Sequence, residues 1–478
     1  MKQKSLGLNA ILNVVRTLVG ILFPLITYPY ITRVLGAENL GKINFSNSVI
    51  AYFLLIAGFG VSTYSVREGA KRRHNSEELS RFVNEIFTIN LYTTALAYLL
   101  LFIWICFSYK LHNYWELLLI QSVSIFISTI GVEWINTIFE DFLYITIRSI
   151  IIQILSVFLI FIFVNSTEDI YIYTWISILT SFMTSVINVI HCRKYISIRI
   201  VRKCNAREHF KPMLILFFAN ISTVIFVNSD QTMMGYFTSD YYVGIYAVAV
   251  KIYTIVKNVF TSLLIVAVPR ISSFKNRVRS ISFANHLFNL FLILLIPMAV
   301  GLFCLSDEII FIIGGPGYEE SITTLKILSV SILCSGLASF MTYICVVPSG
   351  SDKILLISSG IAAIINFLLN LILIPILKNN GAAITTVIAE FIMFAIEVWL
   401  LKPKIITDIR NLIQVLIGCL AIIAVFYSMK LLIGNLFIRI AISLVFSVIT
   451  YFVVLLLVKN QNSLEILNKV KRKMRHEI

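Results

Sequence analysis

The sequence predicts an all-α integral membrane protein of about fourteen transmembrane helices, with its N- and C-termini cytoplasmic. Three observations lead there. Hydrophobic residues fill 59% of the 478 positions and charged residues only 13%, more apolar than a water-soluble core requires. Apolar runs long enough for a bilayer crossing, about 20 residues each, follow one another from end to end. Lys and Arg crowd alternate loops and nearly vanish from the others, the bias that sets orientation in a membrane.

Apolar runs between charged or Gly, Pro and Asn breaks give spans at 9–31, 43–64, 83–107, 114–135, 143–164, 171–190, 211–232, 242–268, 284–305, 322–347, 354–377, 381–401, 411–432 and 437–458. The first follows a short segment with Lys2 and Lys4 and continues for a full crossing, so it is read as a retained span and not a cleaved signal. The third, eighth and tenth are long enough to tilt. Segments 1–8, 65–82, 136–148, 191–211, 269–283, 348–353, 402–410 and 459–478 hold 29 of the 39 basic residues, whereas the opposite loops hold only Arg33, Lys42, Lys110 and Lys378. Those opposite loops carry Glu168, Asp169, Asp240, Asp307, Glu308, Glu319 and Glu320. The net charge of +15 therefore expresses topology and attraction to anionic lipid; nucleic acid is not an expected partner.

The longest hydrophilic break inside the chain, the basic stretch from His191 to Lys211, falls after six spans and before the next six. It divides the chain into an N-terminal lobe at 1–190, a cytoplasmic linker at 191–210, a C-terminal lobe at 211–401, appended spans 13 and 14 at 402–458 and a basic tail at 459–478. A faint repeat supports the division: span 1 is followed by Leu35-Gly36…Gly41-Lys42-Ile43 and span 7 by Met234-Gly235…Gly244-Ile245-Tyr246. Each is read as a short outer turn bounded by glycines. Six-helix units of equal orientation form parallel repeats with the cargo site between them near the midplane.

Polar residues inside the spans fall on faces. Asn9, Asn13, Arg16 and Gly20 share one side of span 1, and Lys251, Thr254, Asn258 and Thr261 share one side of span 8, by helical periodicity. Lys257 lies roughly 120° around from Lys251. Asn44 and Asn47 in span 2, Asn220 and Thr223 in span 7, and Asn366 and Asn370 in span 11 add polar steps. Amides and hydroxyls also serve as helix–helix glue worth roughly 0.6–2 kcal/mol. Arg16 and Lys251 are different, because each lies roughly 10–14 Å deep and a lone charge there costs about 2.5–3.5 kcal/mol. Such cations face water, an opposite charge or an anionic cargo. Lys326, only about four residues into span 10, is expected to snorkel to the interface. Glu390 and Glu397 share one face of span 12, Asp230 falls near the end of span 7 and Glu133 near the end of span 4; each pairs with a cation or titrates as an ion-coupling carboxylate.

The run Tyr30-Ile31-Thr32-Arg33-Val34-Leu35-Gly36-Ala37-Glu38-Asn39-Leu40-Gly41-Lys42-Ile43, followed by Phe45-Ser46, resembles the opening signature of the polysaccharide-biosynthesis flippases, the Wzx-type exporters of the multidrug/oligosaccharidyl-lipid/polysaccharide superfamily. Arg67-Glu68 with Lys71-Arg72, Asn228-Ser229-Asp230-Gln231 with Met234-Gly235, Val243-Gly244-Ile245-Tyr246-Ala247 with Lys251, and Pro269-Arg270-Ile271-Ser272 extend the resemblance across nearly the whole chain. Phe139-Glu140-Asp141-Phe142 departs from the family's Gly-Leu-Glu-Lys-Phe-like pattern and leaves the role of Glu140 open. The resemblance implies a two-lobed bundle in a bacterial cytoplasmic (inner) membrane that alternates between inward-open and outward-open states. It implies a cargo of undecaprenyl-diphosphate-linked oligosaccharide, with a polysaccharide polymerase as a candidate partner outside. Arg16 and Lys251, and less directly Lys257, are then the diphosphate ligands, with Asn13, Asn47, Asn220 and Asn258 as cavity polar groups. Asp230, Glu390 and Glu397 are the ion-coupling candidates.

No catalytic or metal site and no cofactor are expected. The seven cysteines are scattered, mostly within spans, and behave as small apolar residues; Cys192 and Cys204 share a loop without metal-ligand spacing. A phosphate-binding Gly-x-x-x-x-Gly-Lys-Ser/Thr loop is missing from the sequence, so the driving force is a proton or sodium gradient, the membrane potential or product consumption. Two rival classes differ in recognisable ways. A drug or metabolite antiporter for cationic cargo prefers acidic and aromatic cavity residues, and a polymerase or ligase of lipid-linked sugars needs a sizeable outer loop; the short acidic loops and basic stripes count against both.

Overall fold

The computed structural model describes residues 6–465 except 203, 275, 406 and 407, and leaves the side chains of 6–18, 21 and 277 undescribed. The described chain is helical: α1 (Leu6–Gly58), α2 (Val61–Arg72), α3 (Ser76–Phe107), α4 (Tyr109–His112), α5 (Trp115–Gly131), α6 (Glu133–Ile138), α7 (Phe142–Phe163) and α8 (Ile170–Cys192) come first. They are followed by α9 (Ala206–Phe237), α10 (Asp240–Ser272), α11 (Arg277–Cys304), α12 (Ser306–Ile313), α13 (Glu320–Phe340), α14 (Asp352–Leu401), α15 (Ile409–Leu432) and α16 (Leu436–Leu457). Among the described residues, 12 helical segments are long and apolar enough to cross a membrane.

Two of those segments are twice the ordinary length. Helix α1 has 53 residues and α14 has 50, about 75–80 Å at 1.5 Å per residue, against a hydrocarbon core of about 30 Å. Each is broken inside. Gly36 adopts φ 74°, ψ 171°, a backbone region open essentially to glycine alone. Lys378 adopts φ 54°, ψ −129°, and the residues after it hold the break: Asn379 Nδ2 donates to Thr324 Oγ1 at 2.7 Å, and that hydroxyl donates to Asn380 Oδ1 at 2.9 Å. The breaks fall inside the loops 32–42 and 378–380 expected from sequence.

The chain forms two compact units, 1–247 and 248–478. In the first, α1 packs on α3, α5, α7 and α9, while α5 and α7 pack on α8. One hydrophobic cluster in this unit joins Tyr64, Phe82, Ile86, Trp134, Ile138 and Met213. The basic segment before α9 lies along α3, where Asn84 Oδ1 accepts from the Arg199 amide at 2.8 Å and Thr88 Oγ1 from the Val201 amide at 3.1 Å. By packing, α9 belongs to this first unit. In the second unit, α13 packs on α14, α15 on α16, and α11 on both α13 and α15. Its cluster of Ile293, Val415, Ile422, Phe426, Tyr451 and Leu455 binds the last two helices to α11.

Both units place polarity inside and hydrocarbon outside. Phe102, Phe158, Ile162, Ile376, Trp399 and Leu431 are exposed, while Asn366, Asn370, Ser335 and Thr385 are buried. That inversion suits a lipid solvent, in which every polar group must find a protein partner. Asn366, Asn370 and Thr385 do so mutually, through bonds of 3.2, 2.5 and 3.4 Å.

One sequence expectation is corrected. Gly235 does not bound a turn; it lies within α9, where a Cβ would collide with the Phe45 ring. The turn is the short Thr238–Ser239 connection before α10, and Gly235 is small because Phe45 needs its space.

Candidate functional site

In the first unit, a cleft of about 380 Å³ is lined by Leu54, Gly58, Ser62, Asn90, Asn220 and Thr223, among others. Asn220 and Thr223, one helical step apart on α9, thus line one space, as their spacing suggested. Asn90 is anchored there by donating to the Ala57 carbonyl at 2.7 Å. Asn47 is exposed between buried Ser46 and Ser48. Asp230 is buried and accepts from Tyr246 Oη at 2.5 Å; the adjacent Thr232 hydroxyl donates to Ser48 at 2.8 Å. The ion-coupling candidate of α9 is therefore set in a hydrogen-bonded layer between α1, α9 and the start of α10.

The helical segments that follow the two turns, α1 after Gly36 and the start of α10, meet in this unit. A Cβ on Gly41 would collide with the Asp240 carbonyl oxygen, and a Cβ on Gly244 with the Ala37 carbonyl oxygen. The contact is reciprocal, each glycine pressing on the residue four positions before the other. This is the pattern of a local two-fold. Tyr114 Oη closes the same region by donating to Asp240 Oδ1 at 2.6 Å.

A further polar centre in this unit escaped the sequence reading. Asn188 joins three elements: its side-chain oxygen accepts from Asn136 and from the Arg148 guanidinium, and its amide donates to the Gly131 carbonyl. Arg148 is buried and also lies 3.3 Å from Glu133, the carboxylate singled out near the end of span 4. Hydropathy alone counted Arg148 as a loop residue at a span edge; its partner sits 40 residues away. Substituting Asn188→Ala is expected to lower stability by about 3 kcal/mol, since it strips a buried guanidinium and a buried amide of a shared acceptor; thermal unfolding in detergent measures it. Glu140 receives a role here as well, pairing with Arg73 at 2.7 Å. Asp141 gathers His191, Lys194 and Tyr195 at 2.8, 3.1 and 2.9 Å. Burial and the Asp141 carboxylate push the Tyr195 hydroxyl above the usual tyrosine range, so it remains a donor.

In the second unit, Lys257 and Glu390 form an ion pair, bringing together a diphosphate candidate and an ion-coupling candidate. Tyr253 Oη donates to the same carboxylate oxygen at 3.3 Å, and Ser331 Oγ lies 3.4 Å from Tyr253 Oη. Glu397, seven residues on, is fully buried and accepts from Thr342 at 2.9 Å and Ser358 at 3.1 Å. Its second oxygen has no hydrogen-bond partner, and no cation pairs with it among the described residues. Thr342 belongs to a π-helical turn, Met341–Val346, a local distortion frequent at functional positions. One face of α10 buries Ile252, Tyr253 and Phe260, while Lys251 is half-buried and Thr254 and Asn258 are exposed. The predicted stripe therefore stays on one side of α10, and Lys257 turns away from it toward Glu390. Lys326 does not simply snorkel; it pairs with Asp307 at 2.6 Å. The side chains of Asn13 and Arg16 lie outside the described residues.

Comparison with known proteins is decisive at the family level. The model of the family described as "Polysaccharide biosynthesis protein" matches residues 6–275. The chain belongs to that family. It is 24% identical over 382 residues to a putative O-antigen transporter of Escherichia coli (strain K12), covering 77% of this chain and 90% of that one. It is 21% identical over 336 residues to the putative O-antigen transporter of Shigella dysenteriae, covering 70% and 84%. The fold resembles the lipid II flippase MurJ in an inward closed conformation, with a TM-score of 0.75 at 17% identity over 94% of this chain and 97% of that one. An inward-facing multidrug resistance MATE transporter of the MOP superfamily gives 0.53 at 13% identity, over 81% and 94%. This member of the polysaccharide biosynthesis family is accordingly a multi-pass membrane protein with the fold of the MOP transporters.

Proposed function

We propose that the protein is a flippase that moves undecaprenyl-diphosphate-linked oligosaccharide from the cytoplasmic to the outer leaflet of a bacterial inner membrane by alternating access, delivering it to a polymerase outside. The observation that carries this reading is the family match over residues 6–275. It agrees with the putative O-antigen transporters named above and with a chain whose deep cations suit an anionic headgroup. The division of α1 at Gly36 and of α14 at Lys378 supports fourteen crossings, which return the C-terminus to the cytoplasmic side. The six-helix lobes at 1–190 and 211–401 are then the moving bodies, so the packing of α9 and the start of α10 on α1 is a contact that alternation makes and breaks. Arg16 and Lys251 hold the diphosphate, Lys257 adds positive charge from the adjoining face of α10, and Asn13, Asn47, Asn220 and Asn258 meet the sugars. A pyrophosphate needs charge-assisted donors in a low-dielectric cavity, whereas the lipid tail stays in the bilayer. Asp230, Glu390 and Glu397 couple a proton or sodium ion.

Reconstitution with lipid-linked oligosaccharide tests the reading. Arg16→Ala and Lys251→Ala are each expected to slow transbilayer movement about tenfold, the loss of one charge-assisted contact worth about 1.5–3 kcal/mol. Undiminished movement in both variants overturns the diphosphate assignment. Neutralising Asp230, Glu390 and Glu397 together is expected to remove dependence on an ion gradient, and transport that still follows the gradient refutes the coupling role.

A further inference from the structure

One end of the second unit, where α11, α12, α13, α15 and α16 begin or finish, gathers five charged side chains around a pocket of about 80 Å³. Lys326 Nζ lies 2.6 Å from Asp307 Oδ1, Lys430 Nζ 3.4 Å from Asp307 Oδ2, and Arg439 Nη2 3.3 Å from Glu308 Oε1. Two atoms remain over. Glu308 has a side chain only 8% exposed, yet its Oε2 has no hydrogen-bond partner; Arg439 Nε is likewise buried without one. A buried acceptor and a buried donor left open each cost about 1–3 kcal/mol, so the pocket offers both to a guest that carries a donor and an acceptor.

The neighbouring cavity defines the rest of that guest. It measures about 340 Å³, shares Leu305 and Phe426 with the charged pocket, and continues along Pro297, Met298, Ile422 and Val448. Its lining is almost wholly apolar. A charged head at the helix ends and a hydrocarbon cleft running from it match the depth profile of one leaflet, with polar side chains at headgroup level and apolar ones below.

The charges choose the headgroup. Three cations against two carboxylates leave one net positive charge, so a purely anionic head meets Glu308 as a repulsive neighbour and a purely cationic one meets three cations. Asp307 stays ionised: burial opposes this, but Lys326 and Lys430 outweigh it and hold the carboxyl below the usual aspartate range. That occupies Lys326 and leaves Arg439 and the more exposed Lys430 for a phosphate. We propose that this pocket and cleft bind a phospholipid whose headgroup joins a phosphate to a primary ammonium, as phosphoethanolamine does. The phosphate takes Arg439 Nε and Lys430, the ammonium donates to Glu308 Oε2, and one acyl chain fills the cleft. The site is separate from the proposed cargo residues and stands whether or not the flippase reading does.

Native mass spectrometry of the full chain, delipidated in detergent and titrated with phosphatidylethanolamine, phosphatidylcholine or phosphatidylglycerol of identical acyl chains, tests it. Phosphatidylethanolamine is expected to be retained about tenfold better than the other two, because choline has no N–H to donate and glycerol no positive charge, each a loss of about one charge-assisted hydrogen bond. Glu308→Gln is expected to erase the preference over phosphatidylcholine, and Arg439→Gln to weaken binding about tenfold. Lys430→Ala, at a side chain 53% exposed and so safe for folding, is expected to weaken it about threefold. Equal retention of the three lipids, preference for phosphatidylglycerol, displacement of the lipid by inorganic phosphate alone, or a Lys430→Ala protein that binds like the wild type each overturns the proposal.

Discussion

Glu390→Gln is expected to destabilise the protein by about 3 kcal/mol and to abolish gradient-driven transport, whereas removing its partner at the same time restores the stability. The reason is the asymmetry of buried ion pairs. Breaking one leaves an uncompensated charge and costs about 3–5 kcal/mol, while replacing both members with apolar residues is often neutral or better. Glu390 is 3% exposed and Lys257 29%, so the orphaned ammonium retains some solvent and the lower end of that range applies. Tyr253, whose hydroxyl reaches the same carboxylate and whose ring lies 5.7 Å from Lys257 Nζ, exchanges a charged acceptor for a neutral amide oxygen. Thermal unfolding of Glu390→Gln, Lys257→Met and the Lys257→Met/Glu390→Leu double variant measures the first half. Transport in proteoliposomes measures the second. A double variant that is stable and inactive identifies the pair as part of the transport machinery; one that is stable and fully active makes it a structural bridge within the second unit and removes both residues from the site.

What the sequence made legible follows from the range of each signal. Hydropathy and basic-residue bias act over one span, so the helices emerged with nearly their observed limits, and the two breaks fell where short polar turns interrupt apolar runs. Helical periodicity fixes which side of a helix a residue occupies. It placed Thr254 and Asn258 on the side of α10 that the structure leaves exposed, and it turned Lys257 away from Lys251. It cannot supply a partner: Glu390 lies 133 residues from Lys257, and two carboxylates in span 12 looked alike until packing gave one a cation and the other two hydroxyls. Lys326 went astray for the same reason, since a lysine near a helix end reads as snorkelling unless Asp307, in a separate short helix, is known to sit beside it. Arg148 was hidden by its position at a span edge. Gly235 misled because a glycine that makes room for an aromatic ring and a glycine that bends a turn are the same letter.

Gly41 and Gly244 carry the second large effect. Replacing either with leucine is expected to reduce transport about a hundredfold while leaving the folded protein intact. The atoms in the way are backbone carbonyls, of Asp240 and Ala37, which cannot swing aside as the end of a side chain can. Overpacking of this kind costs about 1–3 kcal/mol. The penalty falls only on the state in which the two helical segments touch. A transporter that alternates must populate that state in every cycle, and about 2.7 kcal/mol against it lowers its population about a hundredfold. A substitution at Gly434, where a Cβ meets open space, serves as the control and is expected to leave transport near the wild-type rate. The reciprocity adds a sharper requirement. Because both glycines load one contact, the double variant should lose little beyond either single one, as coupled neighbours do. Single effects that simply add would show two independent defects, and the paired helical segments would then not be closing as a unit.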